Sequence, residues 1–225
     1  MFSISGLLGC IVFFQANQLS QIIRDYFYTP MNLFQGDPII GNLITGVTVA
    51  VLVGTVIFGG IQRIAKVASR MVPTMVGLYI IAAILILFNN ISDIPGVFAL
   101  ILQDAFTGDA VSGGALGSLI IIGVRRGMFS NEAGTGTETM AHGAAKTTEP
   151  VREGLVAMLG PFIDTIVVCS ITAIIIMISG AYLEDLNGVS MTAVAFKKEL
   201  GIPGQLFLTI AVLTFALSTM FGYSY

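Results

Sequence analysis

Long apolar runs recur along the chain, and they constrain its fold more than any other feature of the sequence. A helix needs about 20 predominantly apolar residues to cross a bilayer, and runs of roughly that length follow one another from end to end. Only 10% of the 225 residues are charged and 55% are hydrophobic, which leaves too little polar surface to cover a soluble globule. The sequence therefore predicts an all-α membrane protein folded as a multi-pass helical bundle.

The apolar runs divide into six predicted crossings within a single transmembrane domain that covers residues 1–225. The approximate crossings are residues 3–24, 43–61, 73–89, 114–147, 153–179 and 203–225. Two further stretches, residues 95–106 and 190–201, have helical apolar spacing but are too short to cross. We expect them to lie along the interface or over a mouth. Because apolar runs stand at both ends, we expect a fragment of a longer protein.

The positive charges predict the orientation of the bundle, since lysine and arginine are retained in cytoplasmic loops. One set of alternate loops carries most of them and is predicted to be cytoplasmic: Arg63, Lys66, Arg70, Lys146 and Arg152. The opposite set is otherwise acidic and carries Arg24, Lys197 and Lys198. The first crossing therefore begins in the cytoplasm, and the sixth crossing ends there.

The rest of the composition argues against several classes of protein. The net charge of −3 includes no basic stripe of the kind that nucleic-acid binding requires. The single histidine, His142, leaves no multi-histidine metal site and no Ser-His-Asp triad with a spare base, and we assign it no role. Cys10 and Cys169 lie in apolar runs and are interpreted as reduced packing residues. We therefore expect neither an enzyme nor a bound cofactor.

The stretch RRGMFSNEAGTGTETMAHG, residues 125–143, places charges and glycines between two apolar runs. Residues 115–126 and 137–148 flank the glycine-rich part, and each would form a helix of about 18 Å, half the thickness of a membrane. Glycines at 127, 134 and 136 allow backbone angles that a helix does not use. The pattern predicts a helix broken at mid-membrane beside a cavity. The alternative is a cytoplasmic loop with its arginines at the lipid headgroups.

A broken helix would expose main-chain groups with a specific chemistry. Freed N–H groups at the start of the second half-helix, with Thr135 or Thr137 as a cap, suit a carboxylate. Freed carbonyls and hydroxyls suit an ammonium group or a small hard cation. Together they predict a site for a zwitterion.

Several segments closely resemble the alanine or glycine:cation symporter family, the sodium:alanine symporters. The longest are RGMFSNEAGTG and the following MAHGAAKTTEPVREGLVAMLGPFIDTIVVCSITA, and FFQANQ, DAFTG and FALSTMFGYSY resemble other segments of that family in the same order. The resemblance covers nearly the whole chain and about half of a typical member. It implies sodium-coupled symport of alanine or glycine across the cell (inner) membrane, with sodium as the coupling ion and no cofactor. The alternative is a channel or a non-transporting structural membrane fragment.

The same resemblance implies a leucine-transporter-type fold of two inverted five-helix repeats, with the first helix of each broken around substrate and sodium. The six crossings would be helices three to eight of that core. Residues 114–147 would be the broken helix of the second repeat.

The resemblance also implies which residues contact the amino acid. They are Gln15, Phe129, Asn131, Gly134, Gly136 and Tyr223. Two of them have an equally simple explanation, since Gln15 could form a helix-to-helix hydrogen bond and Phe129 could pack in the core. Tyr223 stands where the family often has tryptophan, so it could change which side chain fits the pocket.

Four residues are candidate sodium ligands. By resemblance, the carbonyl of Ala216 and the hydroxyls of Ser218 and Thr219 form half of a sodium site. The alternative for the hydroxyls is a hydrogen bond back to the preceding turn of their own helix. Asp164 is an acid inside the fifth crossing, where it either coordinates a cation or forms an interhelical hydrogen bond.

Overall fold

The computed structural model describes residues 11–34, 38–106, 115–131, 142–143 and 145–223. Within these ranges the regular elements are helices and no strand occurs, which confirms the predicted all-α fold. The helices are α1 (Ile11–Ile23, extended by a π turn over Arg24–Tyr28), α2 (Pro38–Ile57), α3 (Gly60–Asn89), α4 (Ile94–Phe106), α5 (Ala115–Asn131), α6 (Pro150–Ile178) and α7 (Val189–Tyr223).

Four of the described helices are long and apolar enough to cross a membrane. They are Ile39–Ile57, Gln62–Asn89, Pro150–Ile178 and Val189–Tyr223, at the places of the second, third, fifth and sixth predicted crossings. The first and fourth predicted crossings lie partly outside the described residues. The number of six crossings therefore stays a prediction.

Helix α3 begins well before the predicted crossing at residue 73. Its first half has an apolar face at Ile64, Met71 and Met75, with spacings of seven and four residues, and Ile64 and Met75 are both buried. Because this face packs inside the protein, residues 60–72 are helical, whereas their charges had indicated a cytoplasmic loop. The helix also continues through Pro73. Helices in a bilayer tolerate proline because neighbouring groups satisfy the freed main chain.

Helix α7 contains a break at Gly201, whose φ of 70° and ψ of −156° are not helical. Only glycine adopts such angles without strain, and Pro203 follows two residues later. The break separates a short helix, residues 189–200, from the apolar helix of residues 202–223. These correspond to the short stretch and the sixth crossing that the sequence separates.

Helix α5 extends beyond the predicted end of the first half-helix, and most of the predicted break lies outside the described residues. The first half-helix does not end at Arg126, because the helix continues through Gly127 to Asn131. A glycine inside a helix costs only about 1 kcal/mol relative to alanine, and glycine is common in membrane helices. The second half-helix does not reach Thr148, since residues 145–149 are not helical. Pro150 keeps Glu149 extended, at φ −122° and ψ 95°, so this stretch does not continue into α6 as one helix.

The chain divides into two compact units. The α1–α7 unit consists of Ile4–Ile86 and Ser179–Tyr225, and the α4–α6 unit contains Leu87–Ile178. In the α1–α7 unit, α1 packs along α7 and against α2. In the α4–α6 unit, α6 packs against α5 and α4.

Candidate functional site

The contact between α1 and α7 forms the apolar core of the α1–α7 unit. Leu19 and Ile22 of α1 are fully buried, and Ala216, Met220 and Phe221 of α7 are almost fully buried. Val53 of α2 and Ile64 of α3 complete this cluster. The stretch of α7 that carries two candidate sodium ligands, Ser218 and Thr219, is therefore held in a fixed position by apolar packing.

Ser218 and Thr219 both bind their own helix. The Ser218 hydroxyl donates to the carbonyl oxygen of Phe215 at 2.9 Å, and the Thr219 hydroxyl donates to the same oxygen at 3.0 Å. The Ser218 Oγ also lies 4.0 Å from the Met75 Sδ of α3. This is the hydrogen bonding of the alternative interpretation, but each hydroxyl oxygen keeps its acceptor lone pairs. Both oxygens can still bind a cation.

The third candidate ligand of α7, Ala216, is 2% exposed and lies in the regular helical part of α7. A helical carbonyl accepts the main-chain hydrogen bond from four residues further on. Its oxygen can reach a cation only through its second lone pair.

Two candidate substrate contacts lie near helix ends: Gln15 is near the start of α1, and Tyr223 is the last residue of α7. Gln15 is half-buried, five residues into α1. Tyr223 is the last described residue of α7, and its phenolic oxygen is buried. Both belong to the α1–α7 unit.

In the α4–α6 unit, Asp164 binds a partner on another helix. The Ser130 hydroxyl of α5 donates to the Asp164 Oδ2 at 2.5 Å, and the Cys169 Sγ lies 4.0 Å from the same oxygen. The distance between Ser130 Oγ and Cys169 Sγ is 3.3 Å. This is the interhelical hydrogen bond that the sequence left as one of two alternatives. A carboxylate has about four acceptor positions, so this bond does not prevent cation binding.

The main chain around Asp164 is irregular. Residues Phe162–Cys169 form a π-helical stretch inside α6, directly after Pro161. Such stretches are uncommon and occur frequently at functional sites. Ser130, the donor to Asp164, is absent from the sequence-based set of site residues. It lies in the FSNEAG motif between Phe129 and Asn131, both of which are predicted substrate contacts.

The other predicted contacts on the glycine-rich stretch are only partly described. Phe129 and Asn131 lie in the last turn of α5, and their side chains are outside the description. Gly134 and Gly136 lie entirely outside the described residues.

A polar seam joins the end of α1 to the start of α7, and the sequence did not indicate it. Gln21 Nε2 donates to Ser190 Oγ at 3.1 Å, and the Ser190 hydroxyl donates to Asp25 Oδ2 at 3.0 Å. The Val189 N–H donates to Gln18 Oε1 at 3.1 Å. Burial raises the pKa of the neighbouring Tyr26 phenol, and the negative charges of Asp25 and Glu184 raise it further. The seam fixes the start of the short helix on α1.

His142 also has a partner. Its Nδ1 lies 2.7 Å from Glu153 Oε1 in the first turn of α6. Among the residues that the structure describes, no three His, Cys, Asp or Glu side chains form a group that could hold a metal ion. Within those described ranges, the groups that could bind sodium are hydroxyl, carbonyl or single carboxylate oxygens.

Taken together, the apolar helices and the polar groups inside them define a multi-pass helical membrane protein. The profile of the sodium:alanine symporter family matches residues 1–225, and the chain belongs to that family.

Three curated relatives illustrate the similarity. The sodium/alanine symporter AgcS of Methanococcus maripaludis is 44% identical over 81% of this chain and 41% of its own length. The probable sodium/glutamine symporter GlnT of Bacillus subtilis is 42% identical over 82% of this chain and 39% of its own length. The sodium/proton-dependent alanine carrier protein of Bacillus sp. strain PS3 is 38% identical over 94% of this chain and 48% of its own length. The chain thus spans somewhat under half the length of these relatives. Their names describe transporters, which agrees with the expectation that the chain is not an enzyme.

Proposed function

We propose that the protein takes part in sodium-coupled symport of a small neutral amino acid, alanine or glycine, across the cell (inner) membrane. The observation that carries the proposal is the family match over residues 1–225. Two of the three relatives are named for alanine together with sodium or with sodium and protons. One relative is named for glutamine, so the preference for a smaller side chain is the finer part of the proposal. The resemblance of the glycine-rich motif to the alanine or glycine:cation symporters supports that part.

The proposed sodium ligands on α7 are the carbonyl of Ala216 and the hydroxyls of Ser218 and Thr219. Their support is that both hydroxyls lie within hydrogen-bond distance of the Phe215 carbonyl, to which each can donate. A hydroxyl whose hydrogen is engaged presents lone pairs to its remaining surroundings, which is the arrangement a hard cation needs. The buried contact of α1 with α7 keeps these oxygens in place before the ion binds.

The proposed role of Asp164 is to bind a coupling cation with its carboxylate. An ionised acid within an apolar helix is costly without partners, and Ser130 supplies one hydrogen bond. The irregular helix around it supports a functional role, because a π-helical stretch gives up regular main-chain hydrogen bonding. Sodium or a proton would neutralise the remaining negative charge.

The proposed substrate contacts are those the family resemblance implies. They are Gln15, Phe129, Asn131, Gly134, Gly136 and Tyr223. In this proposal, main-chain N–H groups of the glycine-rich stretch bind the substrate carboxylate, and the side chains limit the space for its side chain. Transport then proceeds by alternating access, in which sodium and the amino acid each stabilise the site of the other.

Uptake of labelled alanine into proteoliposomes tests the proposal. The sodium gradient and the pH gradient are imposed separately, and glycine and glutamine are compared with alanine. We expect alanine and glycine uptake that requires the inward sodium gradient. Uptake that ignores sodium overturns the symport proposal, and ion current without amino acid indicates a channel. Glutamine uptake at the rate of alanine contradicts the preference for a small substrate.

A further inference from the structure

The thiol of Cys169 has no role in the proposed transport site, although it lies beside the Asp164 carboxylate. Its Sγ is 3.3 Å from the Ser130 Oγ of α5 and 4.0 Å from the Asp164 Oδ2 of α6. The Ser130 hydroxyl in turn donates to the same Oδ2 at 2.5 Å. Three polar side chains from two helices of the α4–α6 unit therefore meet at one carboxylate oxygen.

The π-helical stretch explains how Cys169 reaches Asp164. In an α-helix, side chains three and four residues apart share a face, whereas side chains five residues apart are rotated by about 140°. A π-helix bonds residue i to residue i+5, which brings residues five apart to nearly the same side. Asp164 and Cys169 are five residues apart, and both lie within Phe162–Cys169. The Ser170 hydroxyl follows the same spacing, since it donates to the Thr165 carbonyl at 3.4 Å.

The hydrogens of these three groups can be assigned from their chemistry. An ionised carboxylate only accepts, and a serine hydroxyl has one hydrogen. Since Ser130 donates its hydrogen to Asp164, the hydrogen between Ser130 and Cys169 belongs to the thiol, whose S–H is a weak donor. The result is a chain of hydrogen bonds, in which Cys169 S–H donates to Ser130 Oγ and Ser130 O–H donates to Asp164 Oδ2.

The thiol decides between two acceptors for the Ser130 hydroxyl. Serine in a membrane helix commonly donates to a carbonyl in the preceding turn of its own helix, as Ser218 does in α7. A hydrogen bond received from Cys169 fixes the Ser130 hydroxyl in the other orientation. It also strengthens the donation to Asp164, because hydrogen bonds in a chain polarise one another. Both donors lie at Oδ2, so Oδ1 is the oxygen that can face a cation.

We propose that Cys169 is a positioning residue of the cation site: acting through Ser130, its thiol holds the Asp164 carboxylate in the orientation that binds the coupling cation. This inference rests on the proposed binding of a cation by Asp164. A sodium ion at Oδ1 withdraws negative charge from Oδ2, which weakens the hydrogen bond from Ser130 and, along the chain, the hydrogen bond from Cys169. The S–H group therefore responds to sodium without touching the ion.

The infrared S–H stretching band of the purified protein tests the chain of hydrogen bonds, because a donating S–H absorbs at a lower frequency than a free one. The sequence has two cysteines, and Cys10→Ala leaves the band of Cys169 alone. We expect Ser130→Ala to shift this band. The matched control is Ser170→Ala, which removes a hydroxyl next to Cys169 that donates within α6, and it should leave the band in place. A band that is the same with and without Ser130 overturns the proposal.

The link to the cation is tested by adding sodium chloride to the same samples, with choline chloride in parallel. We expect sodium, but not choline, to move the band to a higher frequency in the wild-type protein, and neither to move it in Asp164→Asn. Sodium-driven alanine uptake without a band shift overturns the positioning role and leaves the proposed transport intact. A sodium-dependent band shift without any uptake supports the positioning role and overturns the proposed transport.

The functional consequence is tested by Cys169→Ala and Cys169→Ser, two small side chains of which only serine can donate to Ser130. Cys169→Ala should raise the half-maximal sodium concentration for alanine uptake, by no more than Ser130→Ala does, because the thiol acts through Ser130. Adding Cys169→Ala to Ser130→Ala should therefore cause no further rise. Cys169→Ser should keep the wild-type value. Equal values in Cys169→Ala and Cys169→Ser would show that Cys169 only fills space, which overturns the proposal.

Discussion

Helices α6 and α7 both carry polar side chains within apolar sequence, but they satisfy them differently. In α7, the hydroxyls of Ser218 and Thr219 donate to the Phe215 carbonyl of the same helix. In α6, the Asp164 carboxylate accepts from Ser130 of α5. The difference follows from chemistry. A hydroxyl brings its own hydrogen and reaches the preceding turn, whereas a carboxylate only accepts and a helix interior has no free N–H to offer.

This comparison separates two kinds of predicted site. The hydroxyls of α7 add no charge and need no neighbour, so removing them should affect cation binding more than folding. The carboxylate of α6 links two helices, so removing it should affect both cation binding and folding. Five substitutions, grouped in four predictions, test the distinction, in order of decreasing expected effect on sodium-driven uptake.

Asp164→Ala should have the largest effect. It removes the charge and leaves the Ser130 hydroxyl without its acceptor, and a hydrogen bond to a charged group contributes about 1.5–3 kcal/mol. We expect the free energy of unfolding in detergent to fall by about that amount, and sodium-driven alanine uptake to fall about 10- to 100-fold. The control is Asp93→Ala, which removes an exposed acid at the start of α4. Wild-type stability and uptake in Asp164→Ala would contradict both roles.

Asp164→Asn should have a smaller and more selective effect. The amide oxygen still accepts from Ser130, so stability should remain within about 0.5 kcal/mol of wild type. The charge is lost, so the sodium concentration for half-maximal uptake should rise about tenfold, a difference of about 1.4 kcal/mol. Sodium-dependence curves of uptake provide the measurement. An unchanged sodium dependence would assign Asp164 to structure alone.

Ser218→Ala and Thr219→Val should each raise the half-maximal sodium concentration about fivefold, which corresponds to about 1 kcal/mol. Thermal stability should change little, because each lost hydrogen bond lies within one helix. Thr209→Val is the matched control on α7, since the Thr209 hydroxyl donates to the Gln205 carbonyl at 2.9 Å. If Thr209→Val changes sodium dependence as much, the hydroxyls act through the helix rather than on the ion.

Ser130→Ala should have the smallest effect on uptake. It removes the same hydrogen bond to the carboxylate, which contributes about 1.5–3 kcal/mol, but leaves the Asp164 charge in place. We expect a loss of stability no larger than that of Asp164→Ala and less than a twofold change in the half-maximal sodium concentration, measured by the same uptake curves. A larger change than that of Asp164→Asn would show that the hydroxyl, rather than the charge, governs the site.

The sequence predicted the helical class correctly, because that class follows from hydropathy over long windows. The six crossings and their bounds stay a prediction. The sequence placed the start of α3 too late, since the charges of residues 63–70 masked an apolar face that only the packing of Ile64 and Met75 makes evident. It also ended the first half-helix at Arg126, because glycine in a membrane helix is a weaker breaker than glycine in water.

The candidate site was predicted less completely than the fold. The motif around Phe129 and the intramembrane acid Asp164 could be chosen from residue type and resemblance. Their hydrogen-bond partners could not, because Ser130 and Asp164 are 34 residues apart in the chain. The polar seam of Gln18, Gln21 and Asp25 with the start of α7 was missed for the same reason, since its members are separated by more than 160 residues.

The sequence by itself determined that this chain is a helical membrane protein of the sodium:alanine symporter family. Hydropathy and the order of motifs can both be determined from the sequence without a structure. The tertiary structure decided which polar groups meet. It directed the hydroxyls of Ser218 and Thr219 to their own helix and the carboxylate of Asp164 to Ser130. The physical reason is that a side chain without its own donor needs a neighbour, and a neighbour distant in sequence is chosen by packing.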